Sequence, residues 1–317
     1  MKIIDFHCDT MLKIFESDIG AGLKNNDFQV DIAKLKQGNS LAQFFALFFE
    51  LDVLREKKKS PFEHTMEMLE VFEEEIRKNS KDIALTTDSK SLLKNEREGK
   101  VSAFLTIEEG EAMEGSLDKL EHFYKRGVRL ITLTWNHENQ IGFPNIRYKN
   151  RDRGLKPFGK EVIEGMNHLG MLIDVSHLSD QGFWDVVEGS REPFVASHST
   201  ARSVKAHPRN LSDEMLKALG NCGGVAGINF ANYFLSDDPI SKIKAMLEHM
   251  RHMINVAGLE TVVLGTDFDG ISSDLEIENM GEMQKLVFAM ENRGFTAKEI
   301  EYITHKNGQR IIREVLS

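Results

Sequence analysis

Cysteine is nearly absent: Cys8 and Cys222 are the only two in 317 residues. Two thiols so far apart cannot build a disulfide framework, which suits a reducing compartment. Proline is scarce too, at 6 residues, and none clusters at a domain boundary. Internal repeats, low-complexity tracts and Gly/Ser/Pro-rich linkers are also missing. At roughly 100–200 residues per domain the chain could hold two, but single barrels reach this size, so one domain over residues 1–317 is expected. Long apolar runs are lacking as well. The most apolar stretch, Leu41 to Leu54, is interrupted by Gln43, Glu50 and Asp52, whereas a membrane span needs about 20 apolar residues. Met1–Asp9 has no long apolar region after a basic start, so no signal peptide is expected. Positive charge is in deficit, with 40 Lys plus Arg against 50 Asp plus Glu and a net charge of −10. The longest basic run is Lys57-Lys58-Lys59. Such a chain is a poor candidate for nucleic acid or an anionic membrane, and a cytoplasmic location is expected.

What is present is ordinary for a soluble globular protein: 41% hydrophobic and 28% charged residues. Short apolar runs alternate with longer amphipathic segments. The runs are Lys2–Phe6, Ala42–Phe49, Val101–Ile107, Leu130–Thr134, Met171–Val175, Pro193–Ala196, Val225–Asn229 and Thr261–Gly265. Each reads as a buried parallel strand. The segments between them read as helices: Glu63–Asn79, Leu117–Lys125, Phe158–Leu169, Ser179–Glu188, Ser212–Leu219, Pro239–Ala257 and Met280–Asn292. Ser179 and Ser212 are suited to start their helices. Two more helices, near Thr296–Thr304 and Gly308–Val315, close the C-terminus. Eight strand–helix units predict an α/β fold of the (β/α)8 TIM-barrel type with extra C-terminal helices. No Gly-x-Gly-x-x-Gly follows a strand, which weighs against a dinucleotide-binding sheet.

Active sites of such barrels gather at the C-terminal ends of the strands, so the residues closing each run carry the information. After the first come His7, Cys8 and Asp9. Alternation along an extended segment puts His7 and Asp9 on one side and Cys8 in packing. After the third come Glu108, Glu109 and Glu111, of which Glu108 is the better inward candidate; any of them could instead cap the next helix. His177 follows the fifth run and His198 the sixth. Either histidine alone would be read as structural. Three of the 11 histidines placed just past three strands shift that reading. After the eighth run Asp267 points into the barrel mouth, while Asp269 and Gly270 shape the turn. Imidazoles and carboxylates in this set suit Zn²⁺, and the number suffices for two metals sharing a carboxylate. Two such metals, about 3.5–4 Å apart, can hold a bridging hydroxide and polarise a carbonyl, which leaves Asp267 to shuttle the proton. The residues by themselves point to a metal-dependent hydrolase.

The same residues resemble the membrane dipeptidase (renal dipeptidase) family of zinc peptidases, within the amidohydrolase superfamily. The likeness runs through Asp5-Phe6-His7-Cys8-Asp9-Thr10, Gln43-Phe44-Phe45, Ile107-Glu108-Glu109-Gly110 and Leu133-Thr134-Trp135-Asn136. It continues in Gly154–Gly159, Ile173–His177, Ser197-His198-Ser199, His207-Pro208-Arg209-Asn210 and Gly265–Gly270. The resemblance implies two zinc ions per chain. His7 and Asp9 would hold the first, His177 and His198 the second, and Glu108 would bridge them. It implies Asp267 as the catalytic acid/base and Arg209 as the clamp on the substrate carboxylate, which suits a planar guanidinium. Mammalian members carry a substrate-contacting histidine after the fourth strand. Here Trp135 aligns with it, so Asn136 and His137 become the substrate-binding candidates. Glu109 stands where a glycine is usual. The implied function is hydrolysis of dipeptides, with a D-residue at the C-terminal position a family trait, by a homodimer. Alternatives are another amidohydrolase-type hydrolysis of a lactone, amide or ester, or an inactive binding barrel. The first usually shows His-x-His after the first strand and a carboxylated lysine. Here the pair is His-x-Asp, and no lysine lies in Leu130–Thr134.

Overall fold

All eight apolar runs become strands of one parallel sheet. The computed structural model describes every residue except 18, 19, 147 and 317. The strands are β1 (Ile3–Cys8), β2 (Ser40–Phe48), β3 (Val101–Glu108), β4 (Val128–Thr132), β5 (Leu172–Asp174), β6 (Val195–Ala196), β7 (Val225–Ile228) and β8 (Val262–Leu264). Each pairs in parallel with the next, and Leu264 of β8 returns to Asp5 of β1. The sheet therefore closes into the expected (β/α)8 barrel, with no edge left in its wall. A short strand, Ile83–Leu85, pairs with Val101–Ala103 at the start of β3.

The helices follow local chemistry. In Pro61–Lys78 the Ser60 hydroxyl accepts from the Glu63 amide, and proline occupies the first turn, where no donor is needed. Thr65, Met68, Leu69 and Phe72 then recur at helical spacing on the buried face. Ser179 and Ser212 cap Asp180–Gly189 and Asp213–Asn221 as expected. Sequence reasoning missed the short helices Thr10–Phe15, Ile32–Gln37, Leu51–Lys57 and Ser89–Arg97, which span too few turns to show a period. It also ran the Pro239–Ala257 helix too far back. Ile240–Ser241 pairs with Asp274–Leu275 in a small separate sheet, and the helix begins at Ile243. Among the described residues, no helix is long and apolar enough to cross a membrane.

Two apolar layers result. The outer layer lies between the barrel and its helices and includes Cys8, Phe45, Leu105, Ile131 and Phe183. The inner cluster takes side chains from every strand: Phe6, Phe44, Phe104, Leu130, Leu172, Val195, Val225 and Val263. Ile311, Ile312 and Val315 of the last helix, Asn307–Val315, join it and plug the N-terminal end of the barrel. Phe44 stacks between Phe6 and Phe104 at 4.5 and 4.6 Å. This floor leaves the opposite mouth as the open end. Phe44→Ala is expected to cost about 3–5 kcal/mol, read from the denaturant midpoint. A loss under about 1 kcal/mol would show that the floor collapses around the gap.

Candidate metal centre

A β-bulge places the first side chain. Four residues of β1, Asp5 to Cys8, run against three of β2, Gln43 to Phe45. Phe6 faces the inner cluster, so strict alternation would turn His7 outward. The bulge shifts the phase, and Cys8 joins the outer layer while His7 enters the mouth. Beneath it, Asp5 is fully buried and accepts from the Thr266 amide at 2.7 Å, the Thr266 hydroxyl at 2.9 Å and Gln43 at 2.7 Å. That ties β1 to the segment leading into Asp267. Burial raises the Asp5 carboxyl to about 6. Gly270 then passes so close that a Cβ there would lie 2.0 Å from an Asp9 oxygen and 2.7 Å from an Asp267 oxygen. The Asp269 side chain accepts from Thr10 and from the Gln29 and Val30 amides, the turn-shaping part expected of it.

Glu108 ends β3 and divides its oxygens between two groups. Oε2 lies 3.4 Å from His7 Nε2, which is 3.3 Å from Asp9 Oδ2. Oε1 lies 3.1 Å from His177 Nε2 and 3.4 Å from His198 Nε2. The two latter nitrogens are 3.0 Å apart. His177 and Asp267 both adopt positive φ, at 69° and 62°. This is strained backbone of the kind that clusters at functional sites.

The partners of the imidazoles fix their tautomers. His198 Nδ1 donates to Ser197 Oγ at 2.7 Å, and that hydroxyl donates to Asp174 at 2.5 Å. His177 Nδ1 donates to Asn136 Oδ1 at 3.1 Å. Both Nε2 atoms therefore carry lone pairs, aimed at each other and at a carboxylate oxygen. Burial, with Arg209 nearby, pushes His177 down to about 3. Burial, with His7 nearby, holds His198 well below its ordinary value. Protonation thus cannot relieve the clash of lone pairs. On the other side, His7 Nδ1 and Nε2 and Asp9 Oδ1 are buried without a hydrogen-bond partner. Burial disfavours a cation at His7, yet the Glu108 and Asp9 carboxylates raise it well above its usual range. Burial opposes an anion at Glu108, but the His7 imidazole beside it holds it well below the carboxylate range. This donor set fits metal cations: imidazole nitrogens and carboxylate oxygens with second partners already in place.

These side chains open onto a pocket of about 310 Å³ lined also by Phe48, Trp135, Asn136, His207, Arg209 and Tyr233. Its size lies at the small end of the roughly 300–1,000 Å³ of ligand sites. Asp267 Oδ2 accepts from Asn229 at 2.8 Å, and Oδ1 is 3.9 Å from His7 Nε2. Burial, with Asp9 and Glu108 adding and His7 opposing, pushes Asp267 up to about 8.

The structure thus brings together His7, Asp9, Glu108, His177, His198 and Asp267, with Arg209 and Asn136 on the same pocket. It does not bring His137 there. His137 Nδ1 pairs with Asp52 at 3.1 Å. The ring lines a neighbouring pocket, with Trp135 in the wall shared by the two. Glu109, the second choice after β3, faces away from the cluster and bonds the Trp135 amide and Asn139. Sequence reasoning missed Asn229, although it closes the seventh run, and missed His207, on a loop, and Tyr233, in the short helix Asn232–Leu235.

A closed parallel barrel with an imidazole–carboxylate cluster at its mouth defines a metal-dependent hydrolase of the TIM-barrel class. The family model for "Membrane dipeptidase (Peptidase family M19)" matches residues 1–317, and the chain belongs to that family of peptidases. Membership implies a metal cofactor. An uncharacterised dipeptidase of Schizosaccharomyces pombe is 31% identical over 98% of this chain and 79% of its own length. An uncharacterised Klebsiella pneumoniae protein, from the region 5′ of pqqA, is 34% identical over 69% of this chain and 84% of its own. Among solved structures, a Rhodobacter sphaeroides metallopeptidase liganded with a phosphinate mimic of the dipeptide L-Ala-D-Ala has a TM-score of 0.91. It is 23% identical and covers 99% of both chains. A second, a dipeptidase, has a TM-score of 0.92 at 23% identity, covering 100% of this chain and 99% of that one.

The raised Asp267 carboxyl makes a testable statement about the metal-free protein. Its folded value of about 8 exceeds an unfolded value of about 4. Its contribution to stability is fully present below the unfolded value and is lost as pH rises through the folded one. Chelated Asp267→Asn should therefore melt increasingly above chelated wild type between about pH 4 and 8 and by a constant margin above that. A difference that stays constant with pH would show that this carboxyl is not raised.

Proposed function

We propose that the protein is a two-zinc dipeptidase acting on free dipeptides, including those with a D-residue at the C-terminal position. Arg209 carries the choice of substrate. Its guanidinium is buried, Nη1 donates only to Ser199 at 3.3 Å, and Nε and Nη2 have no partner among the described residues. A buried, unpaired cation is costly, and it lines the same small pocket as the cluster. A terminal carboxylate of the substrate would complete it with a forked, charge-assisted pair. A dipeptide is the peptide whose C-terminal carboxylate lies one residue from its only peptide bond. The Rhodobacter sphaeroides structure, liganded with a mimic of L-Ala-D-Ala, supports the same choice.

Mixed nitrogen and oxygen donors favour zinc. His7 and Asp9 would hold one ion, His177 and His198 the other, and Glu108 both. When bound, such a pair polarises the scissile carbonyl and acidifies the attacking water. The protein's own residues do the rest. Arg209 fixes the carboxyl end. Asn136, Ser197 and Asp174 keep the two imidazoles aimed. Asp267, held by Asn229, takes the proton from the attacking water and hands it to the leaving amine.

The direct test is amino-acid release from L,L and L,D dipeptides by zinc-loaded protein beside a chelated control. Release abolished by the chelator is the expected result; zinc-loaded protein that releases nothing would move the function to another hydrolysis. Asp267→Asn is expected to keep its metals and lose about 10²–10⁴ in turnover, and full activity would remove its assigned role. Arg209→Met should raise KM about 10- to 100-fold for dipeptides with a free C-terminus and much less for amidated ones. Equal losses on both would mean that Arg209 is not the clamp.

A further inference from the structure

Behind the His177 side of the cluster stands a loop, Leu133–Gly142, and one buried carboxylate holds it. Glu109 directly follows Glu108. Its backbone is at φ 87°, a conformation that L side chains rarely adopt, and its side chain is fully buried. Oε1 accepts from the Glu111 amide at 3.0 Å and from Asn139 Nδ2 at 2.5 Å. Oε2 accepts from the Trp135 amide at 3.1 Å. Every neighbour donates, so both oxygens are committed to the loop and neither is offered to a metal. A helix-capping role would explain the Glu111 bond alone; the other two go to a different segment.

Asn139 is the hub of that segment. It also donates to the Leu133 carbonyl at 2.9 Å and accepts from the Ile141 and Gly142 amides at 2.8 and 3.0 Å. The loop sits so closely on Gly110 that a Cβ there would lie 2.7 Å from the Leu133 oxygen. From this seat the loop presents two groups to the pocket. Asn136 accepts from His177 Nδ1. Trp135 lies against Phe48 at 4.8 Å and faces His177 at 6.2 Å.

We infer that Glu109 is the positioning residue of this centre, seating the 133–142 loop so that Asn136 fixes the His177 ring and Trp135 walls the substrate pocket. The effect on metal and turnover rests on the two-zinc reading; the seating of the loop does not.

The test uses the full chain in a Trp184→Phe background, which leaves Trp135 as the sole tryptophan. Glu109→Gly removes the acceptors and suits the positive φ, so the fold should be kept. Glu109→Gln keeps the shape but turns a donor toward donors. Trp135 anisotropy and acrylamide quenching are read with and without zinc, then zinc affinity at each of the two sites, then KM and kcat separately. Both variants should stay folded and show a more mobile, more quenched Trp135. One zinc should bind about tenfold or more weakly, the scale of losing a ligand's hydrogen-bond partner, while the other is unaffected. KM should rise as the pocket wall loosens. Unaltered Trp135 signals with unaltered zinc affinities would overturn the proposal. So would a loss of both zincs in step with a falling melting temperature, the mark of a merely structural residue. Should wild type itself bind fewer than two zincs or cleave no dipeptide, the two-zinc reading fails, and Trp135 in zinc-free protein still decides whether Glu109 seats the loop.

Discussion

Two imidazole lone pairs and a carboxylate oxygen face one another within 3.0–3.4 Å at the barrel mouth, and the rest of the site is arranged around that confrontation. Each imidazole has spent its one proton on the far side, on Asn136 or on the Ser197–Asp174 pair. Burial makes a second proton unfavourable. In a low-dielectric cavity such an arrangement is costly unless a cation sits among the three atoms. The free energy stored in unmet acceptors is returned when the cation binds, so metal binding and local stability become one quantity. The same reasoning applies to His7 and Asp9, whose buried atoms also lack partners.

Regular barrel geometry would not deliver these side chains. An uninterrupted β1 would point His7 into the outer layer, and the bulge against β2 brings it inside. His177, Asp267 and Glu109 all sit at positive φ. Each of these departures costs conformational energy, of order 1–3 kcal/mol for such residues, and the surrounding barrel must supply it. The plug of inner-layer aromatics and the last helix closes the opposite end. The strain at these three residues lies at the mouth, and the floor carries the packing.

The eight strands were legible because buried parallel strands are continuous apolar runs, and their order forces closure. The six residues of the cluster were legible for a related reason: a barrel exposes only strand ends at its mouth. What stayed hidden depended on local irregularity. Alternation put His7 and Asp9 on one side, which is where they are, but alternation from Phe6 would have denied it; no residue between Asp5 and Cys8 announces a bulge. The family resemblance put a histidine after β4 in question and raised His137, yet the loop turns that ring toward Asp52. That loop is tied to Glu109 through Trp135 and Asn139, contacts 26 and 30 residues apart in sequence that no periodicity encodes. Asn229 was overlooked although it closes a run, because an asparagine is not a metal ligand by type; its place is as a donor to Asp267.

The pocket carries two opposite electrostatic demands a short distance apart. The cluster lacks positive charge, whereas Arg209 lacks negative charge. The guanidinium also helps to push the His177 proton affinity down, so the group proposed to clamp the substrate also keeps a neighbouring imidazole free to bind metal. A ligand that is neutral throughout would leave Arg209 unpaired, and one with its anion at the wrong distance would leave the reacting bond away from the cluster. On the proposed function, a carboxylate one residue from the reacting bond would answer both demands at once, and side-chain preference would be left to the walls built by Trp135, Phe48 and Tyr233.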